Sequence, residues 1–151
     1  MAADSVYFDT SYLVRLYLED AGHDRVRDLA GEHSHIVSAI HGRTEVVAAF
    51  HRGLREKRLD TPSHQILHRQ FINEATHSSV YRWLPLTENV YRRVESAYLG
   101  ASAKFFLRAA DALHLACAAE HGFTAVYSHD RHFLAAAPSF GLRAQDVIAD
   151  P

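Results

Sequence analysis

Short apolar segments alternate with helical segments along nearly the whole chain, and this alternation is what most limits the folds it can adopt. Runs of β-branched, aromatic and aliphatic residues without internal glycine or proline are typical of buried strands. Such segments occur at 5–8, 35–38, 80–84, 123–127 and, as a possible edge strand, 142–147. The intervening segments carry apolar residues at helical spacing. The order β-α-α-β-α-α-β-α-α-β-α-β predicts an α/β fold, with three α/β/α layers around a central, mostly parallel sheet of four or five strands.

The length and composition are those of a single globular domain. Of the 151 residues, 48% are hydrophobic and 23% are charged, which is ordinary for such proteins. No repeat, low-complexity tract or linker divides the chain, so we expect one domain over residues 1–151. No apolar run approaches the roughly 18 residues of a membrane span, and the first residues lack the pattern of a signal peptide. We therefore expect a cytoplasmic protein without membrane contact, in which the single Cys117 is a small buried hydrophobe.

The positive charges are almost all arginine. A net charge of −2 argues against a global field that attracts polyanions. Only Lys57 and Lys104 are lysine, and arginine suits bidentate contact with phosphate. Four cations crowd the end of the helix predicted over 40–57, namely Arg52, Arg55, Lys57 and Arg58. The simpler interpretation is that they offset the helix dipole, and the alternative is a patch for an RNA backbone.

Four acidic residues stand in apolar surroundings far apart in the sequence. Asp111 lies within an alanine- and leucine-rich helical segment, where an unpaired carboxylate is costly to desolvate. Asp9 and Asp130 follow predicted strands directly, whereas Glu45 and Asp111 come early in predicted helices. In open parallel sheets, ligands bind beyond the carboxyl ends of the strands. We therefore expect all four acids to meet in one cleft at that edge.

Such a cluster of carboxylates predicts a hard divalent cation. Clustered anions repel one another, which should raise their pKa values in the metal-free protein. Mg²⁺ or Mn²⁺ would reverse that cost, since both ions prefer oxygen ligands. One bound ion can activate water, and two can also stabilise the leaving oxygen of a phosphodiester. The sequence contains neither G-x-x-x-x-G-K-[ST] nor G-x-G-x-x-G, which argues against a nucleoside-triphosphate enzyme.

Each acid also has a structural interpretation that needs no metal. Asp9 and Asp130 precede helices and are good N-cap residues. Glu45 in a first helical turn is favourable by itself. Capping and metal binding are compatible for Asp9, so the sequence leaves both open.

The four acidic segments together resemble those of PIN-domain ribonucleases, in the same order and with compatible spacing. They read Val6-Tyr-Phe-Asp9-Thr-Ser11, Ser38-Ala-Ile-His-Gly-Arg-Thr-Glu45, Arg108-Ala-Ala-Asp111-Ala-Leu-His and Val126-Tyr-Ser128-His-Asp130. Single-domain members of that family at this length are typically VapC-like toxins of toxin–antitoxin modules, so the chain resembles those toxins. The resemblance implies a Mg²⁺- or Mn²⁺-dependent endoribonuclease, a cognate VapB-like antitoxin and a homodimer.

The resemblance also implies roles for individual residues. Asp9 and Asp111 would be direct metal ligands, with Glu45 and Asp130 completing the acidic pocket. Two hydroxyls would support them: Ser11, which would orient a ligand or water, and Ser128, at a position where the family commonly has threonine or serine.

Several histidines leave further alternatives open. His129 and His132 flank the fourth acid and are candidates for RNA contact or proton transfer. His64 and His68 are spaced to bind a transition metal on one helix face, but no third ligand is evident, so we interpret them as surface residues.

Two other functional classes compete with a ribonuclease. A non-catalytic RNA- or protein-binding module on the same fold would fit the near-neutral charge and the scattered arginines. A metal-dependent phosphatase or DNA nuclease would use the same acidic cluster, because any phosphate ester suits it.

Overall fold

The computed structural model describes residues 4–148 and contains the predicted alternation. The strands are β1 (Ser5–Tyr7), β2 (His35–Ala39), β3 (Tyr81–Leu84), β4 (Ala125–Tyr127) and β5 (Arg143–Gln145). The α-helices are α1 (Thr10–Leu13), α2 (His23–Gly31), α3 (Gly42–Arg55), α4 (Thr61–His77), α5 (Glu88–Gly100), α6 (Ala109–Glu120) and α7 (Arg131–Ala136). Two 3-10 turns, Val14–Leu16 and Ala137–Phe140, complete the order. Within these residues, no helix is both long enough and apolar enough to cross a membrane.

Every strand pair in the described part of the chain is parallel. β2 lies between β1 and β3, and β4 pairs with β5. A parallel bridge between Phe8 and Tyr127 joins the end of β1 to β4, which gives the order β3-β2-β1-β4-β5. The predicted α/β fold with a mostly parallel sheet is confirmed. Because the strands are parallel, their carboxyl ends share one edge of the sheet.

The sheet separates two hydrophobic cores. Along β1, Val6 and Phe8 belong to one core and Tyr7 to the other, because successive side chains of a strand point to opposite faces. The first core contains buried residues from the helices that precede β3, including Tyr12, Val26, Val46, Phe50 and Phe71. The second contains buried residues from the helices that follow β3, including Val90, Ala112, Leu115, Ala116 and Phe133. Helices therefore cover both faces, as the predicted three layers require.

The first helix is shorter than the sequence predicts. Its apolar spacing continues to Leu18, but α1 ends at Leu13 and tightens into a 3-10 turn. At this point the Arg15 Nη1 donates to the Ser11 carbonyl at 2.7 Å. An α-helix would offer that carbonyl to the backbone N–H of Arg15 itself.

The single cysteine lies where the sequence places it. Cys117 is fully buried in α6, which confirms the expectation of a small buried hydrophobe. Burial raises the pKa of its thiol to about 12, so it carries no reactive thiolate near neutral pH.

Candidate metal centre

One cavity of about 530 Å³ at the carboxyl edge of the sheet is lined by all four predicted acids, Asp9, Glu45, Asp111 and Asp130. Asp9 follows β1, and Asp130 follows β4 after two intervening residues. These acids come close because their strands are neighbours in the sheet. Glu45 and Asp111 lie in the first turns of α3 and α6. The structure thus brings together four residues from four separate elements.

Asp9 is a buried carboxylate that also caps a helix. The residue is only 3% exposed, with Ser11 Oγ donating to Oδ1 and Ser128 Oγ donating to Oδ2, each at 2.6 Å. The Tyr12 N–H donates to Oδ1 as well, at 3.2 Å, which makes Asp9 the N-cap of α1. Burial raises the pKa of Asp9 to about 6, and the two serine hydroxyls oppose the shift. Both structural and metal-binding roles are therefore compatible at this residue.

Glu45 is held through a single oxygen. Its Oε1 accepts from Thr10 Oγ1 and from His114 Nε2, both at 2.7 Å, and lies 3.5 Å from His41 Nε2. Burial alone would raise the pKa of Glu45, but its interaction with His114, together with the hydrogen bond from Thr10, lowers it below its ordinary value. The expectation that mutual repulsion raises the pKa of the clustered acids is therefore wrong for Glu45.

Asp111 and Asp130 are bridged by one arginine. Arg108 Nε lies 3.2 Å from Asp111 Oδ2, and its Nη2 lies 2.9 Å from Asp130 Oδ2. The other oxygen of Asp130 accepts from the backbone N–H groups of His132 and Phe133, which caps α7. Burial is the main cause that raises the pKa of Asp111, with Arg108 opposing it and Asp130 adding a smaller increase. Repulsion is therefore real at Asp111 but secondary to desolvation.

The four carboxylates share the cavity without forming a tight ligand cluster. Among residues 4–148, no three of these acids place oxygens within 4.8 Å of one another. Mg²⁺ usually keeps several waters and binds one or two carboxylates directly. Asp9 and Asp111 both line the cavity, and their carboxylate oxygens are the kind of ligand that such an ion binds.

Three residues of the site were missed by the sequence analysis. Thr10 and His114 donate to Glu45, and His41 lies beside them with its ring centroid 4.2 Å from that of His114. A signal was present, because His41 is four residues before Glu45 and His114 is three residues after Asp111. Residues at these spacings share a helix face.

Cations line the same cavity as the acids. Arg15, Arg52, Arg58 and Arg108 all contribute to its wall. Arg52 pairs with Glu56 at 2.8 Å, and Arg58 pairs with Asp20 at 3.3 Å. Arg52 and Arg58, which come at and after the end of α3, thus line the same cavity as the acids.

The remaining histidines lie away from the cavity wall. His129 Nδ1 bonds to Asp146 at 2.7 Å, and its backbone N–H donates to Ser11 Oγ. The His132 ring packs on Phe106 with centroids 4.5 Å apart. Neither histidine is among the described residues that line the cavity.

The predicted histidine pair on α4 has a neighbour on α3. The ring centroid of His64 lies 6.1 Å from that of His68 and 6.5 Å from that of His51. In the part of the chain that the structure describes, these three histidines do not form a group that could hold a metal ion. The group of potential ligands found there consists of His41, Glu45 and His114.

Solved structures that share this fold include the two that follow. VapC20 of Mycobacterium tuberculosis, described as a sarcin-ricin loop cleaving toxin, matches with a TM-score of 0.66 and 21% identity, over 87% of this chain and 94% of that one. VapBC2 of Rickettsia felis, solved bound to a DNA fragment from their promoter, matches with a TM-score of 0.64 and 12% identity, over 94% of this chain and 98% of that one. At these identities the likeness concerns the fold.

Most of the chain matches the model of one protein family. The family described as PIN domain matches residues 6–138, a span that includes all four acids. No curated protein matches the chain.

Proposed function

Because the chain belongs to the PIN domain family, we propose that it is a metal-dependent endoribonuclease that hydrolyses RNA phosphodiester bonds. The observation that carries this proposal is the single cavity lined by Asp9, Glu45, Asp111 and Asp130 at the carboxyl edge of the sheet. The structural likeness to VapC20, which is described as a sarcin-ricin loop cleaving toxin, supports RNA as the substrate.

In this proposal, Asp9 and Asp111 bind Mg²⁺ or Mn²⁺, and Glu45 and Asp130 complete the acidic pocket. A bound ion would activate a water and stabilise the charge that develops on the phosphate. Glu45 stays ionised at neutral pH, since its pKa is lowered. Its carboxylate can therefore orient a water by accepting a hydrogen bond.

The residues around the acids have separate roles. Ser11 and Ser128 donate to different oxygens of Asp9 and so fix the plane of its carboxylate. Arg108 spans Asp111 and Asp130 through a side chain that is 66% exposed. Such an exposed guanidinium can exchange a carboxylate for a phosphate oxygen at little cost.

We further propose that the chain is the toxin of a toxin–antitoxin pair, acting in the cytoplasm as a homodimer and restrained by a small VapB-like antitoxin. Its structural likeness to VapC20, described as a toxin, and to VapBC2, solved on promoter DNA, supports this role. Co-purification with the product of a short neighbouring reading frame would test it.

Cleavage of structured RNA should depend on added Mg²⁺ or Mn²⁺ and stop in excess chelator, because the acids need a cation to act on a phosphate. The assay compares structured RNA, single-stranded DNA and a generic phosphate ester under the same conditions. Full activity in chelator would contradict the proposal. Turnover of DNA or the small ester instead of RNA would indicate a DNA nuclease or phosphatase, and RNA binding without cleavage would favour a non-catalytic module.

Replacing Arg52 by alanine should lower RNA affinity by roughly 10-fold and reduce the salt dependence of binding by about one charge, as expected for one phosphate contact. Arg92→Ala is a matched control, because Arg52 and Arg92 are each 69% exposed and each pair with a glutamate four residues away on a helix. Arg92 lies outside the cavity wall. Equal losses in the two variants, measured by fluorescence anisotropy at several salt concentrations, would argue against a specific contact.

A further inference from the structure

A hydrogen-bonded chain runs from the centre of the sheet to one acid of the cavity. It begins at Tyr7 in β1 and passes through His114 in α6, and both residues are fully buried. The Tyr7 hydroxyl lies 2.8 Å from His114 Nδ1, and His114 Nε2 lies 2.7 Å from Glu45 Oε1. The Tyr7–His114–Glu45 chain thus links a strand to the first turn of α3 through a third element.

The direction of this chain follows from its two ends. An ionised Glu45 carboxylate can only accept, so His114 Nε2 carries the hydrogen between them. In the neutral ring Nδ1 then has the lone pair, which accepts from the Tyr7 O–H, and the Tyr7 oxygen accepts in turn from the Ala39 N–H at 3.1 Å. A neutral imidazole that accepts at Nδ1 carries its hydrogen on Nε2. His114 therefore donates to Glu45.

Packing keeps the His114 imidazole from turning. The Tyr7 ring meets it edge-on with centroids 6.0 Å apart, and the His41 ring lies against it. Gly42 approaches from α3 so closely that a Cβ there would lie 3.4 Å from His114 Cε1. A buried ring held on several sides keeps one orientation.

Both donors act on the same oxygen of Glu45. Thr10 Oγ1 and His114 Nε2 each lie 2.7 Å from Oε1. One oxygen is thereby committed to the protein, which leaves Oε2 for a ligand in the cavity. Partners of this kind fix the orientation of residues that bind metals.

We infer that His114 is a positioning residue, which holds Glu45 by a Nε2–H donor whose direction Tyr7 sets, so that the second carboxylate oxygen serves a divalent cation. This inference rests on the proposed metal-dependent function.

Direct metal binding by the histidines is the competing interpretation. One atom from each of His41, His114 and Glu45 lies within 4.8 Å of the other two, and Nε2 is the nitrogen of each ring that faces Glu45 Oε1. His41 Nε2, however, lies 2.8 Å from the Ala110 carbonyl, which can only accept, so this nitrogen carries a hydrogen. A protonated nitrogen has no lone pair for a metal, and the same holds for His114 Nε2.

His114→Leu should weaken Mn²⁺ binding by roughly 10- to 100-fold, the usual effect of losing a residue that orients a ligand. His114→Gln should restore most of the affinity, since its amide can donate from nearly the same position. Mn²⁺ affinity is measured by calorimetry on the full chain, with thermal unfolding of each variant as a check of folding. His121→Gln is the matched control. His121 follows the last turn of the same helix, and its Nδ1 is hydrogen-bonded to the Cys117 carbonyl.

A second measurement needs neither a variant nor a metal. Nitrogen NMR of the metal-free protein should show His114 protonated at Nε2 and unprotonated at Nδ1. A hydrogen on Nδ1 would overturn the inference, as would equal Mn²⁺ affinities of the leucine and glutamine variants. Mn²⁺ binding without RNA cleavage by the unaltered protein would contradict the proposed nuclease function and leave the comparison of Mn²⁺ affinities intact.

Discussion

Replacing Asp111 by asparagine should lower the rate of RNA cleavage roughly 10³-fold, equivalent to about 4 kcal/mol of transition-state stabilisation. Asparagine keeps the size of the side chain but removes the negative charge that a divalent cation needs. Asp111 lines the cavity and its side chain is 13% exposed, and a water that took its place on the ion would bring no negative charge. The rate is measured in single turnover at saturating Mn²⁺ with a structured RNA.

Asp24→Asn is the matched control for this change. Asp24 and Asp111 each lie in the first turn of a helix, so each substitution removes a similar favourable interaction with the helix dipole. Asp24 is exposed and lies outside the cavity wall. Full activity of Asp111→Asn, or an equal loss in both variants, would contradict the proposed role of Asp111 as a ligand.

The position of the acids at one edge of the sheet was predictable, because the residues that follow a strand can be read directly from the sequence. A short apolar run that ends in an acid and continues into a helix, as at Asp9 and Asp130, already indicates which edge of a parallel sheet the acid occupies. Residues early in helices, such as Glu45 and Asp111, follow from the same topology. The order of strands and helices was therefore enough to predict that the four acids line one cavity.

The partners of those acids were not predictable in the same way. Glu45 meets His114, which is 69 residues away in sequence, and a histidine between two leucines is typical of an ordinary core residue. Without that contact, repulsion among the acids predicts a raised pKa for Glu45, whereas His114 and Thr10 lower it. The sign of the shift depended on tertiary contacts that periodicity does not reveal.

Arg108 provides a second example of a contact that the sequence does not reveal. The sequence shows an arginine three residues before Asp111, a spacing that predicts a helical ion pair. It does not show that the same guanidinium also reaches Asp130, which is 22 residues away. A bridge between two acids depends on the packing of α6 beside the start of α7, so only the structure reveals it.

Replacing Asp9 by asparagine should stabilise the metal-free protein at pH 8 by about 3 kcal/mol, the free energy that corresponds to a pKa raised from 3.8 to about 6. The unfolded chain ionises this carboxyl above about pH 4, whereas burial resists ionisation in the folded state. The folded protein therefore loses stability as the pH rises from about 4 through 6. Asparagine carries no charge, and its single oxygen can still accept from the Tyr12 N–H and the Ser11 hydroxyl. Its amide N–H can donate to the Ser128 oxygen, in place of the hydrogen bond that Ser128 donates to Asp9.

This stabilisation should appear as an increase of roughly 6–12 °C in the unfolding midpoint at pH 8 and a much smaller one at pH 4. Unfolding is followed by calorimetry in the presence of chelator. Glu45→Gln provides a contrast within the same cavity, because the pKa of Glu45 is lowered. Its ionised form stabilises the fold at neutral pH, so the glutamine variant should be less stable there. The same direction of change in both variants would contradict the opposite pKa shifts of these two carboxyls.

Divalent metal should reverse the cost of ionised Asp9. A cation that binds the folded state stabilises it according to its affinity, and protons compete for the same carboxylate. Saturating Mn²⁺ should therefore raise the unfolding midpoint of the unaltered protein more at pH 8 than at pH 5, and should raise that of Asp9→Asn much less. If Mn²⁺ shifted both proteins equally, the ion would be binding elsewhere. The charge of Asp9 would then weaken the metal-free fold without serving the proposed metal site.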